Sequence, residues 1–206
     1  MLFGFNTPNA GTITVEGENI LGLTQSKIRG LGVSLVPEDR MLFGIAGTAS
    51  IEENILSDRC ADKRFNNGPL FNMKEESDRL IQEYTVLCKS RKQQVGMLSG
   101  GNIQKVVVAR EFSNDPVLIL ADQPTRGIDV GSKEEIYHLI TELARQGKAI
   151  IMISSDLPEV LGMSDRIMVM YEGRVMGELS AEEATQERVL AYSFGHTDAK
   201  QEEGTI

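Results

Sequence analysis

Residues 98–131 read LSGGNIQKVVVAREFSNDPVLILADQPTRGIDVG, and this stretch decides the fold. A Gly-rich turn at Leu98, Ser99, Gly100, Gly101 and Asn102 opens a segment, Ile103 to Phe112, whose apolar positions predict a helix with one side against a sheet. A helix start of this kind is suited to anions. Its first N–H groups have no intrahelical partner, the macrodipole adds partial positive charge, and two glycines let a phosphate come close to the backbone. After a turn at Asn114-Asp115-Pro116, Val117 to Leu120 is apolar at every position, as in a strand buried on both faces of a parallel sheet. Asp122 follows at the strand's carboxyl end, where open α/β sheets bind ligands, and a carboxylate placed there beside phosphates holds Mg²⁺.

These residues resemble the nucleotide-binding domain of ABC transporters, in particular the second ATP-binding domain of bacterial importers for ribose, galactose, xylose and similar sugars. LSGGN is similar to the ABC signature and LILADQP to the Walker B strand. Gly127 to Asp129 resembles the loop that crosses the dimer interface, and SSDLPEVLGMSDRIMVMYEGRV resembles the switch region of the sugar subfamily. The resemblance runs from about Leu2 to Gly195. It implies an α/β, P-loop NTPase-type fold: a mostly parallel sheet flanked by helices, a helical subdomain inserted at about 44–113, and a small antiparallel edge sheet. Residues 1–195 would form this domain, and 196–206 a polar, disordered tail.

Composition agrees with that reading. The 206 residues suffice for one ordinary core, with 25% charged and 41% hydrophobic residues. A net charge of −9 without a Lys/Arg run argues against a nucleic-acid surface and against polybasic contact with anionic lipid. No run of 18 apolar residues occurs, and the N-terminus lacks a basic-then-apolar leader, so a cytoplasmic location is expected. Cys60 and Cys88 lack a CxxC pattern and read as simple thiols. His138 has Glu142 at i+4 and no HExxH, so it reads as a surface or packing histidine.

The sequence contains no G-x-x-x-x-G-K-[ST], and Met1 to Gly4 resembles the last turn of the helix that follows the phosphate loop in this family. The expectation is a piece of a longer chain, truncated before that loop and inactive in isolation, since the loop supplies the cradle and Lys for the phosphates. Thr12 to Val15 predicts a strand, Leu23 to Gly30 a short helix, and Leu31 to Val36 a core strand ending in Pro37-Glu38-Asp39-Arg40. Met73 to Leu87 predicts an amphipathic helix whose stripe is Leu80, Ile81, Tyr84, Leu87 and Cys88, and Arg59 to Leu70 a loop. Lys133 to Arg145 predicts a helix and Ala149 to Ile153 an all-apolar strand, so that Asp122 and Ser155 would emerge at one sheet edge. Ile167 to Tyr171 and Arg174 to Gly177 predict a hairpin, and Glu182 to Ser193 a last helix.

The resemblance also implies roles, residue by residue. Glu38 stands where ABC domains commonly have Gln, Gln123 where they have the catalytic Glu, and Ser155 where they have the switch His. An amide cannot accept a proton at neutral pH. Leu98, Ser99, Gly100, Gly101, Asn102, Gln104, Glu38 and Asp129 would bind nucleotide, and Asp122 would bind the metal. ABC domains pair head to tail, so the intact signature would complete a partner domain's ATP site while the chain's own site is non-hydrolytic. ATP and Mg²⁺ are the implied cofactors. The implied partners are another ABC ATP-binding domain, a transmembrane permease and, indirectly, a periplasmic sugar-binding protein, which places the chain on the inner face of the membrane. A regulatory pseudo-ATPase module and a nucleic-acid-associated ABC ATPase are the alternatives, and neighbouring genes for a permease and a sugar-binding protein would separate them.

Overall fold

The computed structural model describes residues 2–59 and 72–196. The expected loop at 59–70, Cys60 and the tail beyond 196 lie wholly or largely outside the described residues. The chain divides into two compact units, 1–153 and 154–206, and each is described by itself.

In the first unit, β1 (Thr14–Val15) and β2 (Glu18–Asn19) form a two-stranded antiparallel sheet. Helix α1 (Gln25–Gly30) is capped by Thr24 and leads to β3 (Val33–Val36). A π-turn at Arg40–Gly44 precedes the short helix α2 (Ile51–Ile55), which a Ser50–Glu53 capping box starts. Helix α3 (Met73–Glu83), a 3₁₀ turn at Val95–Met97 and the long helix α4 (Gly100–Phe112) follow. Strand β4 (Leu118–Asp122), helix α5 (Val130–Arg145) and strand β5 (Ala149–Ile153) complete the unit.

The central sheet has the order β3-β4-β5 and is parallel throughout, as the apolar runs predict. Its register sets Val36 beside Ala121 and Asp122 beside Ile153, so β3, β4 and β5 end at one edge. Phe3, Val15, Ile20, Ile28, Val33 and Leu120 form one apolar cluster under the sheet. Burial of each such side chain contributes about 1.5–3 kcal/mol.

Three sequence expectations are corrected. Helix α4 is buried all round rather than along one side: Gln104, Lys105 and Glu111 are enclosed along with its valines. Helix α3 stops at Glu83, and Thr85 takes φ 51°, so Leu87 leaves the predicted stripe and is 69% exposed. In β5, Ile151 and Ile153 are 41% and 52% exposed, so the strand alternates instead of being covered on both faces.

The buried charges of α4 are satisfied by partners from distant segments. The Glu111 carboxylate, fully enclosed, accepts two 2.9 Å hydrogen bonds from Arg29, one of 3.0 Å from Arg110 and one of 3.2 Å from the Leu35 amide. Its backbone carbonyl accepts from the Ser34 hydroxyl at 2.8 Å. This network ties α1, β3 and α4 together. Lys105 donates to the Thr85 carbonyl at 3.1 Å and pairs with Glu135 of α5.

In the second unit, α6 (Leu157–Met163) is capped by Asp156, and β6 (Arg166–Tyr171) pairs with β7 (Arg174–Ser180). Glu172 and Gly173 turn the hairpin with φ 46° and 76°, the left-handed pair that suits tight hairpins. Helix α7 (Gln186–Ser193) closes a small core of Ile167, Val169, Leu179, Val189 and Tyr192.

Candidate nucleotide site

The turn at 98–102 is built by capping. Ser99 is the N-cap of α4: its hydroxyl accepts from the Asn102 amide N–H at 3.4 Å and from the Asn102 side-chain Nδ2 at 2.8 Å. The Asn102 Oδ1 accepts from the Leu87 N–H at 2.7 Å, which ties the helix start to the segment after α3. Leu98 follows the 3₁₀ turn with extended backbone and delivers the chain into the cap. Gln104, one turn into α4, is buried, and its Nε2 has no hydrogen-bond partner among the described residues.

The two glycines have local causes that the sequence did not disclose. A Cβ on Gly101 would sit 2.8 Å from the Ser132 Cβ and 3.0 Å from the Asp129 Oδ2, and closer still to the Ser132 hydroxyl. The starts of α4 and α5 therefore touch backbone to side chain at this point. A Cβ on Gly100 would lie 2.9 Å from an Arg40 Nη and 3.3 Å from the Gly127 carbonyl. Close packing inside the chain is thus enough to require glycine at Gly101, while at Gly100 a side chain would have to displace the end of Arg40. Asp129 is the N-cap of α5, accepting from Ser132 N–H at 3.0 Å and Ser132 Oγ at 2.8 Å, and these bonds lower its carboxyl pKa.

The second cluster forms at the carboxyl edge of the sheet. Asp122 ends β4, and burial, with the nearby Glu38 carboxylate second, raises its pKa. A partly buried carboxylate with a second carboxylate nearby suits a divalent cation, which is commonly held by one or two carboxylates plus phosphate oxygens. Among the described residues no group of three or more His, Cys, Asp or Glu could hold a metal alone. Gln123 takes φ 49°, and its N–H donates to the Ile153 carbonyl at 2.8 Å. Non-Gly residues in that region carry strain, which tends to collect at functional sites. Ser155 belongs to the second unit, just before the α6 cap, and is exposed.

Two residues that the sequence reading passed over link the clusters. Arg40 donates to the carbonyls of Arg126 at 2.7 Å and Gly127 at 3.1 Å, and Arg126 pairs with Glu38. Arginine bonds to backbone carbonyls leave no pattern in a sequence. The signal available was the placement of both arginines beside motif residues, in PEDR and PTRG.

A parallel sheet with a carboxylate at the end of its central strand, and a separate helix start with glycines at its first two positions, agree with the architecture of an ATP-binding cassette. The chain belongs to the ABC transporter family, whose model matches residues 1–126. It is 43% identical over 198 residues to the ribose import ATP-binding protein RbsA of Oceanobacillus iheyensis, covering 94% of this chain and 39% of that protein. It is 44% identical over 204 residues to the arabinose import ATP-binding protein AraG 1 of Burkholderia lata, covering 97% of this chain and 40% of that protein. The chain thus spans about two fifths of the length of these curated relatives. Among solved structures it is similar in fold to a dimeric ATP-binding cassette in a post-hydrolysis state bound to ADP and Pi. The TM-score is 0.73 at 20% identity, over 85% of this chain and 75% of that one. Among the described residues no helix is long and apolar enough to cross a membrane.

Proposed function

We propose that the chain is the ATP-binding part of a monosaccharide importer, and that it lends its signature face to a nucleotide held by another ABC domain. The observation that carries the reading is the contrast between its two clusters. The Ser99 cap, the Asn102 bridge and the Gly101 packing form an ordered helix start at α4, whereas the sheet edge presents Gln123 where a proton acceptor would act.

In phosphoryl transfer the protein's work is positioning and electrostatic stabilisation. The N–H groups in the first turn of α4 and the Ser99 hydroxyl would face the γ-phosphate bound by the partner's phosphate loop. Asp129, fixed by Ser132, would stand across the same interface. In the chain's own site, Asp122 with Glu38 would hold Mg²⁺, which neutralises phosphate charge when bound. Gln123 there can donate or accept a hydrogen bond but cannot take a proton from water. Glu38 is further occupied by Arg126, which leaves it poorly placed to replace the base.

The relatives' names supply the substrate class, since RbsA and AraG are ribose and arabinose import ATP-binding proteins. In this reading the partners are a second ABC domain, a transmembrane permease and, through it, a periplasmic sugar-binding protein. The site of action is the cytoplasmic face of the membrane. Met41, Leu42 and Phe43, which are 54%, 69% and 68% exposed on the turn after Glu38, offer an apolar contact for the permease. The test is sugar-stimulated ATP hydrolysis by the full-length protein with its permease. Ser99→Arg should abolish hydrolysis and uptake together. Unchanged turnover in that variant would overturn the reading.

A further inference from the structure

We propose that Arg40 is a positioning residue that fixes the Arg126–Asp129 loop against the signature turn, and that Gly100 is glycine to leave room for its guanidinium. The inference rests on the reading that the Ser99–Asn102 face completes a nucleotide site, and it adds the device that holds that face in register with the loop beside it.

Arg40 begins the π-turn after β3, and Asp39 caps that turn through the N–H groups of Met41 and Leu42 at 3.0 Å each. The guanidinium reaches out of the turn and uses two nitrogens on two successive carbonyls, Arg126 at 2.7 Å and Gly127 at 3.1 Å. The Nε is buried and has no partner among the described residues, so the fork is held by its two far ends. Gly127 takes φ 66°, a backbone conformation that glycine adopts without steric cost. The Glu38–Arg126 ion pair bridges the same two segments, but both side chains are exposed and such pairs contribute little. Arg40, partly buried, instead sets one planar fork on two backbone carbonyls, a two-point charge-assisted tie that does not depend on ordering a second side chain. Arg40 is therefore the principal link between the two loops on this side.

The same guanidinium also occupies the space in front of Gly100. A methyl group there would stand 2.9 Å from the Nη2 that bonds Gly127. Arginine ends are flexible, so an alanine could be accommodated, but only by pushing the fork off its carbonyl. Substitution at either position should consequently break one and the same contact. On the opposite side the loop is wedged by Gly101 against Asp129 and Ser132, so releasing Arg40 frees one end of a loop held at both.

The experiment uses the full-length transporter with its permease and the variants Arg40→Gln, Arg40→Lys, Gly100→Ala and Arg40→Gln/Gly100→Ala. Arg40→Gln should lower kcat on the order of tenfold, with KM for ATP changed less than about threefold, because the fork is proposed to hold the loop in register and not to bind ATP. Arg40→Lys should recover part of the loss, since an ammonium can serve one carbonyl but cannot fork onto two. Gly100→Ala should lose a similar factor, and the double variant should be no worse than Arg40→Gln, as expected for coupled residues. In the same variants, hydrogen exchange at the amides of 126–129 and 100–102 should quicken. Wild-type kcat in Arg40→Gln, or losses that multiply in the double variant, would overturn the inference, the latter by showing that Gly100 serves the phosphate itself. Unchanged exchange at 126–129 would overturn it independently of any activity. Exchange that quickens in Arg40→Gln while Ser99→Arg leaves turnover intact would sink the functional reading and leave the clamp standing.

Discussion

Gly101→Ala is the substitution whose outcome the geometry specifies most closely. The added methyl would stand 2.8 Å from the Ser132 Cβ, nearer than real side-chain carbons come, and a tight 3.0 Å from the Asp129 Oδ2. The Ser132 hydroxyl can rotate away, which forfeits its 2.8 Å bond to Asp129, but its Cβ cannot retreat unless α5 moves. Overpacking of this kind costs about 1–3 kcal/mol. The helix-propensity gain of alanine over glycine, at most about 1 kcal/mol, is reduced in a first turn, so a net destabilisation of about 1–2 kcal/mol remains. For a domain of 150–250 residues that is a fall of roughly 2–8 °C in Tm, read by calorimetry on the full-length protein.

Activity should fall further than stability does. Displacing α5 from α4 moves Asp129 relative to Ser99, and loss of one preorganised donor in such a site costs on the order of 100-fold in rate. Adding Ser132→Gly removes the obstructing Cβ, so Gly101→Ala/Ser132→Gly should melt higher than Gly101→Ala and regain turnover. A double variant as unstable and as inactive as the single one would refute the packing argument and return Gly101 to a direct role at the phosphate.

Glu111→Ala should be among the most destabilising single changes in the chain. It leaves Arg29 and Arg110 facing a buried hole, and breaking such a pair costs about 3–5 kcal/mol, which denaturant unfolding would measure. Acid stability should depend on Glu76, whose carboxyl is held down to about 2 by the hydrogen bond from Arg79, against the opposing effect of burial, with Arg59 adding to the pull. Because the folded pKa lies below the ordinary 4.5, this contribution is complete above pH 4.5 and is lost as pH falls toward 2. Glu76→Gln should flatten that part of the stability–pH curve, and an unchanged curve would reject the assignment. Gln123→Ala in the full-length transporter should keep turnover within about threefold of wild type, because no proton transfer is removed; a loss as large as that of Ser99→Arg would show that this domain's own site is hydrolytic.

The parts of this fold that were legible in the sequence are those with a local cause. An uninterrupted apolar run marked β4, a mainly apolar one marked the core strand β3, and the Gly-rich turn at 98–102 marked the start of α4, although the helix begins at Gly100 rather than Ile103. What escaped depends on partners remote in sequence. Lys105 and Glu111 look like a solvated helix face until Thr85, Glu135, Arg29 and Arg110 are brought to them. The end of α3 carries no Gly or Pro, so nothing before Thr85 announced it. In the site, Asp122 was legible from its place at a strand end, but the arginine fork across Arg126 and Gly127 was not, because backbone carbonyls carry no residue identity.

That difference bears on how a signature turn works. Its four central residues, Ser99 to Asn102, could in principle present N–H groups from any helix start, and a capped helix alone fixes only the direction of those groups. Here three further ties fix where they stand: Asn102 to the Leu87 amide, Gly101 against Ser132 and Asp129, and Gly100 under the Arg40 fork. Each tie leads to a different segment, respectively the stretch after α3, the start of α5 and the turn after β3. A displacement of any of these segments must therefore shift the turn or break a tie. A partner's nucleotide, meeting this face, would sense the state of all three, which makes the glycines of the turn mechanical fittings of the domain as much as an opening for phosphate.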